Sequence, residues 1–154
     1  MPLIEAAKKC GYTVVLCDFS DHAPGIALAD AFHLVSIIDA EAVLEAAKKE
    51  SIDGVVANTE AAMKVVAYVA ETMNLVGNSV KSIDTLASKK SFRRMQKECG
   101  MFAPSYFEVS TFAELKEKIG GMKFPVIIKP SESSGTRGTT KIASADEAEK
   151  IAQA

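Results

Sequence analysis

Phe124 to Gly138 reads FPVIIKPSESSGTRG, and this stretch decides the fold. Val126, Ile127 and Ile128 form a short apolar, β-branched run, with Pro125 where the start of a strand tolerates it. The run delivers Lys129 at its end. Ser131 to Gly138 is a loop of small and hydroxyl residues with glycines at 135 and 138, and Thr139 to Ala143 (TTKIA) is expected to return as the hairpin partner. Such a loop can aim backbone N–H groups at an anion. Lys129 adds a point charge suited to phosphate, and Arg137 a planar fork. The spacing is not that of a GxxxxGK[ST] loop, because the lysine precedes the glycines and no helix follows them directly. On composition alone, a solvated hairpin turn whose glycines serve only turn geometry is the competing reading.

Working outward, Ser144 opens a helix (ADEAEKIAQA) with Glu147 in its first turn. The sequence stops inside that helix. Upstream, Thr111 caps FAELKEKI (112–119), and Glu114 completes a capping box. Ser105 to Val109 reads as a strand after Pro104. Val80 to Cys99 reads as mostly helical, with Gly100 as the stop after KKSFRRMQKEC.

The first half alternates. Leu3 to Lys9 reads as a helix ending at Gly11. Tyr12 to Cys17 (YTVVLC) reads as a strand buried on both faces. His33 to Ile38 is a second strand. Asp39 caps a helix over 40–49. Asp53 to Ala57 (DGVVA) is a third strand, Thr59 caps a helix running through Met73, and Leu75 to Gly77 is a short fourth strand. This alternation means a parallel sheet covered by helices. A doubly wound domain starts with a strand and a tight glycine-rich turn, whereas this sequence starts with a helix, so a truncated start is expected.

At 154 residues the chain is one domain or two small ones, and 48% hydrophobic with 25% charged residues excludes bulk disorder. The net charge of −2 leaves no basic footprint for nucleic acid. No Trp and 6% aromatic residues leave no base-stacking platform. No apolar run reaches the roughly 18 residues that span a bilayer, and no signal pattern opens the chain. Three cysteines (Cys10, Cys17, Cys99) without CxxC spacing read as reduced thiols rather than a disulfide or zinc framework, so a cytoplasmic protein is expected. His22 and His33 stand isolated and read as loop or surface residues. Asp18, closing the first strand, lacks the glycine fingerprint of a ribose-binding acid. Asn58, Thr59 and Glu60 follow the DGVVA strand at the edge where open α/β sheets bind ligands.

Three ordered pieces together resemble the ATP-grasp superfamily: Lys89 opening KKSFRRMQKECG with Pro104 beyond it, the FPVIIKP strand, and SESSGTRG followed by TTKIAS. Members related to the carbamoyl-phosphate synthase large chain and phosphoribosylglycinamide synthetase look most similar. The resemblance implies an α/β chain: a parallel-sheet, Rossmann-like pre-ATP-grasp domain over 1–86 with its first strand missing, then the first α+β subdomain of an ATP-grasp domain over 87–154. It implies ATP as the ligand, with Lys129 and Lys89 as phosphate contacts. Lys90 competes with Lys89 at the helix start, and counting back from Gly100 favours Lys89. Ser133, Ser134, Gly135, Thr136 and Gly138 would supply the loop. Arg137 would either contact phosphate or hold the loop shut, and Ile142 would form one wall of the adenine pocket.

The family joins a small carboxylate to an amine through an acyl-phosphate, using ATP and Mg2+. Its magnesium ligands lie well after the loop, and no carboxylate pair here matches them. The expectation is therefore an N-terminal ligase fragment, inactive alone, with no nucleic-acid or membrane partner. Self-association through exposed sheet edges is also expected. A non-catalytic nucleotide-binding or regulatory module and a Rossmann-type oxidoreductase piece are the alternatives.

Overall fold

The computed structural model describes residues 2–133 and 135–152. The chain divides into two compact units, Met1–Asp84 and Thr85–Ala154.

In the first unit, α1 (Pro2–Lys9) has Pro2 in its first turn and ends at Gly11, whose φ of 82° needs a residue without a Cβ. The chain then enters β1 (Val15–Asp18), which pairs in parallel with β2 (Ala31–Leu34) in the register Val15↔Ala31 to Asp18↔Leu34. Asp30 fixes the entry to this ladder: it accepts from Lys8 Nζ at 2.5 Å and from Val14 N at 2.7 Å. The expected cap at Asp39 is present, its carboxylate accepting from Ala42 N at 3.1 Å at the start of α2 (Ala40–Glu50). α3 (Met63–Thr72) follows a 3-10 turn over Glu60–Ala62, and Thr59 makes no side-chain cap bond, contrary to expectation. Val43, Leu44 and Ala47 of α2 close on Val65 and Val69 of α3, and Cys17, Val35 and Val55 pack against them. Gly77 lies so close to α3 that a Cβ there would meet Ala70 Cβ at 2.8 Å.

Two expected strands of this unit are not strands. Over 53–57 the alternation is right, with Val55 and Ala57 turned partly inward and Val56 exposed. Among the described residues, however, it has no neighbour to form a ladder with, and a strand is defined by its partner. The 75–77 segment is likewise unpaired.

The helical stretch expected over 80–99 breaks at Ser88 into α4 (Val80–Ala87) and α5 (Lys89–Glu98). Ser88 is the N-cap of α5, its hydroxyl accepting from Ser91 N at 3.3 Å.

In the second unit the 105–109 strand expectation also fails for lack of a ladder partner. Instead, Glu108 is held by side chains, its carbonyl accepting from Lys118 Nζ at 3.1 Å. Thr111 caps α6 (Phe112–Ile119), accepting from Glu114 N at 3.2 Å, while Glu114 reaches back to Ser110 N at 3.0 Å. α7 (Ala145–Ala152) repeats the device. Ser144 Oγ accepts from Glu147 N at 3.3 Å, and Glu147 accepts from Ala143 N at 2.7 Å.

The expected hairpin is β3 (Val126–Ile128) and β4 (Thr140–Ile142), antiparallel in the register Val126↔Ile142, Ile127↔Lys141 and Ile128↔Thr140. Val126, Ile128 and Ile142 face α6 and α7 and pack with Leu115, Ile119 and Ala148. The α/β class read from the sequence is the class observed: helices on a parallel pair, then helices on an antiparallel hairpin.

Candidate phosphate-binding site

The hairpin sets out the site by its pleat. Side chains alternate faces along a strand, so Val126 and Ile128 turn into the core while Ile127 and Lys129 turn out. Ile127 is 55% exposed, and Lys129 is exposed with no hydrogen bond or ion pair to another described residue. Beyond Lys129 the chain passes Pro130 and enters the loop, and Gly138 brings it back onto Pro130. A Cβ at Gly138 would lie 2.8 Å from Pro130 Cγ, and its φ is 68°. Only glycine allows both the approach and the backbone angle.

The loop is bent tightly. Gly135 has φ 63° and Thr136 has φ 60°. For β-branched Thr136 the left-handed region costs on the order of 1–2 kcal/mol, a strain of the sort found at ligand-binding segments. Thr136 Oγ1 donates to the Gly135 carbonyl at 2.7 Å, and Thr139 N donates to the Thr136 carbonyl at 3.1 Å. The N–H groups of Gly135, Thr136 and Gly138 have no backbone partner among the described residues. Ser134 lies outside the described residues.

Lys89 reaches this loop from 44 residues away, its Nζ donating to the Ser133 carbonyl at 2.6 Å and lying 3.4 Å from Ser133 Oγ. The Lys89 N–H donates to the Ser131 carbonyl at 3.1 Å. Ser133 Oγ in turn donates to the Arg137 carbonyl at 3.2 Å. The neighbouring Lys90 turns elsewhere, pairing with Glu108 at 2.7 Å. Both lysines stand in the first turn of α5, which holds no acidic residue, so their charges add to the positive end of the helix dipole. Cations there work against helix stability, and they make the position electropositive. Such a conflict between local preference and structure is common at binding sites.

The structure thus brings Lys89, Ser133 and Arg137 together, with Gly135, Thr136 and Gly138 forming the bend and Lys129 at the strand end beside it. Ile142 is 0% exposed inside the hairpin–helix core. The exposed apolar side chain on the outward face with Lys129 is Ile127, which the sequence reading passed over. Its signal was the two-residue spacing to Lys129. His33, read as a loop or surface residue, is a half-buried member of β2 with Nε2 2.8 Å from Glu50 Oε1. Asp18 makes a turn, accepting from Ser20 N at 2.9 Å. No group of three or more His, Cys, Asp or Glu among the described residues could hold a metal.

A family model described as PylC-like, N-terminal domain matches residues 1–83. The chain belongs to this family. Beyond that PylC-like N-terminal domain, the chain is 32% identical over 146 residues to a formate-dependent phosphoribosylglycinamide formyltransferase of Bacteroides thetaiotaomicron, covering 94% of this chain and 38% of that protein. The same-named protein of Erythrobacter litoralis is 29% identical over 147 residues, with the same coverage. The chain thus spans about two fifths of the length of the curated relatives it matches. Among solved structures, N5-carboxyaminoimidazole synthetase from Staphylococcus aureus complexed with ADP superposes with a TM-score of 0.80 at 18% identity, over 99% of this chain and 40% of that one. Phosphoribosylglycinamide synthetase from Anaerococcus prevotii gives 0.71 at 23% identity, over 96% and 37%. These structures share the fold, and the resemblance to the N-terminal part of ATP-grasp ligases is borne out. No helix among the described residues is long and apolar enough to cross a membrane.

Proposed function

We propose that this chain supplies the polyphosphate-binding part of an ATP-dependent ligase that joins a small carboxylate to an amine or related nucleophile. In this reading residues 1–86 are the domain preceding the ATP-grasp fold, and 87–154 its first subdomain. Lys129 and Lys89 contact the phosphates of ATP, and Ser133, Ser134, Gly135, Thr136 and Gly138 donate from the loop. Arg137 contacts phosphate or braces the loop. The carboxylate would be activated as an acyl-phosphate, a transfer in which positioning and charge stabilisation are the main tasks of the protein. This reading assigns the chain binding rather than turnover.

The observation that carries the proposal is the reach of Lys89 to Ser133 at 2.6 Å. It draws the first lysine of the ATP-grasp pattern onto the glycine loop that follows the second. The likeness to an ADP complex at the level of fold is in keeping with it. Three free cysteines suit a cytoplasmic setting.

Thermal denaturation with ATP, inorganic tripolyphosphate or adenosine tests it. At ten times its Kd a ligand that binds only the folded chain adds about 1.4 kcal/mol. ATP and tripolyphosphate are expected to raise Tm and adenosine to do so less. A Tm unmoved by all three at millimolar concentration contradicts the proposal.

A further inference from the structure

The Lys89 ammonium is already engaged, and its partner is the loop itself. Two of its contacts fall on one residue, the carbonyl and the hydroxyl of Ser133, at 2.6 Å and 3.4 Å. Ser133 passes the restraint on, since its hydroxyl holds the carbonyl of Arg137 at 3.2 Å. A second tie, from the Lys89 N–H to the Ser131 carbonyl at 3.1 Å, anchors the same segment to the first turn of α5. The start of α5 and the residues on either side of the bend therefore form one hydrogen-bonded unit.

An ammonium bound to neutral acceptors is open to exchange. The bond to the Ser133 carbonyl is charge-assisted on the donor side alone, whereas a bond to a phosphate oxygen has charge on both partners. A phosphate group presents several charged oxygens to an ammonium whose donors now point at Ser133. Once Lys89 turns to phosphate, Ser133 loses the charge that fixed its carbonyl.

We propose that Ser133 is a positioning residue that holds Lys89, and that an incoming phosphate group displaces it. The site then reads phosphate through one side chain: taking Lys89 frees the Ser133 carbonyl. The holding half of this inference rests on the contacts alone. The displacement half rests on the polyphosphate reading above.

The carbon-13 resonance of the Ser133 carbonyl reports the first bond directly, with inorganic tripolyphosphate as the probe. In the ligand-free chain, Lys89→Met is expected to move that resonance, and Lys90→Met to leave it. Adding tripolyphosphate to the unmodified chain is expected to move it in the same direction as Lys89→Met, and to leave it unmoved in Lys89→Met. Trypsin cleavage after Arg137 gives a second readout, because the rate follows the population of the opened loop. Loss of one hydrogen bond in Ser133→Ala is expected to speed that cut about threefold to tenfold, with Ser133→Thr restoring the slow rate. An identical carbonyl resonance in the unmodified chain and Lys89→Met overturns the inference while leaving the polyphosphate reading intact. Saturable movement of other loop resonances by tripolyphosphate with a stationary Ser133 carbonyl overturns the displacement. If tripolyphosphate moves nothing in the unmodified chain, the polyphosphate reading itself fails, and the displacement with it.

Discussion

Glu108 holds the Lys90 ammonium at 2.7 Å, so that of two adjacent lysines only Lys89 turns to the glycine loop. The sequence placed both at the start of one helix, and the helix resolves them. Successive residues differ by about 100° around the axis, so one side chain meets Glu108 and the other meets Ser133.

This division has a measurable consequence. A charge-assisted hydrogen bond contributes about 1.5–3 kcal/mol, so Lys89→Ala is expected to weaken tripolyphosphate binding about tenfold or more. Lys90→Ala removes a surface ion pair and is expected to change that affinity by less than about twofold. Calorimetric titration checks both; equal losses contradict the assignment.

Ile127 and Ile142 stand on opposite faces of one hairpin and are expected to fail differently. Ile142 is 0% exposed, so Ile142→Ala is expected to cost about 2–5 kcal/mol in urea unfolding. Ile127 is 55% exposed, and Ile127→Ala is expected to change stability by less than about 1 kcal/mol. An Ile142→Ala chain as stable as the original contradicts the packing described.

What was legible here was local. Asp39, Thr111 and Ser144 cap helices because a short acceptor stands next to free N–H groups, a relation contained within four residues. The hairpin at 126–142 was legible because Gly135 and Gly138 mark the bend between two β-rich runs. The segments 53–57 and 105–109 carry strand-like residues, but whether a strand exists depends on a neighbour that composition does not name. The start of α5 at Lys89 was legible in KKSFRRMQKECG, although Ser88 ahead of it was not named as the N-cap. The facing of Ile142 depends on pairing with Val126 rather than on its own neighbours, so its burial was not legible locally. The Lys89–Ser133 contact spans 44 residues and has no local signature at all.

Gly138 tests the loop geometry without touching charge. Gly138→Ala places a Cβ 2.8 Å from Pro130 Cγ at a φ of 68°, which is expected to destabilise the loop by about 1–3 kcal/mol. Gly135 has a similar φ of 63° but open space around it, so Gly135→Ala is expected to cost less, about 1 kcal/mol. Tripolyphosphate affinity and trypsin sensitivity after Arg137 measure the difference. The reverse order contradicts the close approach to Pro130.

Asp30 gives the first unit a pH dependence of known sign. The Lys8 ammonium, and after it the Val14 N–H, holds the Asp30 carboxyl below the usual carboxylate range. A carboxylate with a lowered folded pKa contributes stability that is complete above its unfolded value, near 3.9. That contribution is lost as pH falls through the lower folded value. The urea midpoint of the original chain is thus expected to exceed that of Asp30→Asn at pH 6, with the gap closing below about pH 4. A gap that is unchanged at the lowest pH reached contradicts this account.

The claim beneath the functional reading is that Lys129, exposed at the end of β3, receives a phosphate. Titration calorimetry of ATP into the original chain and into Lys129→Ala tests it most directly. The account predicts saturable binding that weakens about tenfold or more in the variant, as the loss of one charged contact requires. Equal affinities in the two chains would contradict it.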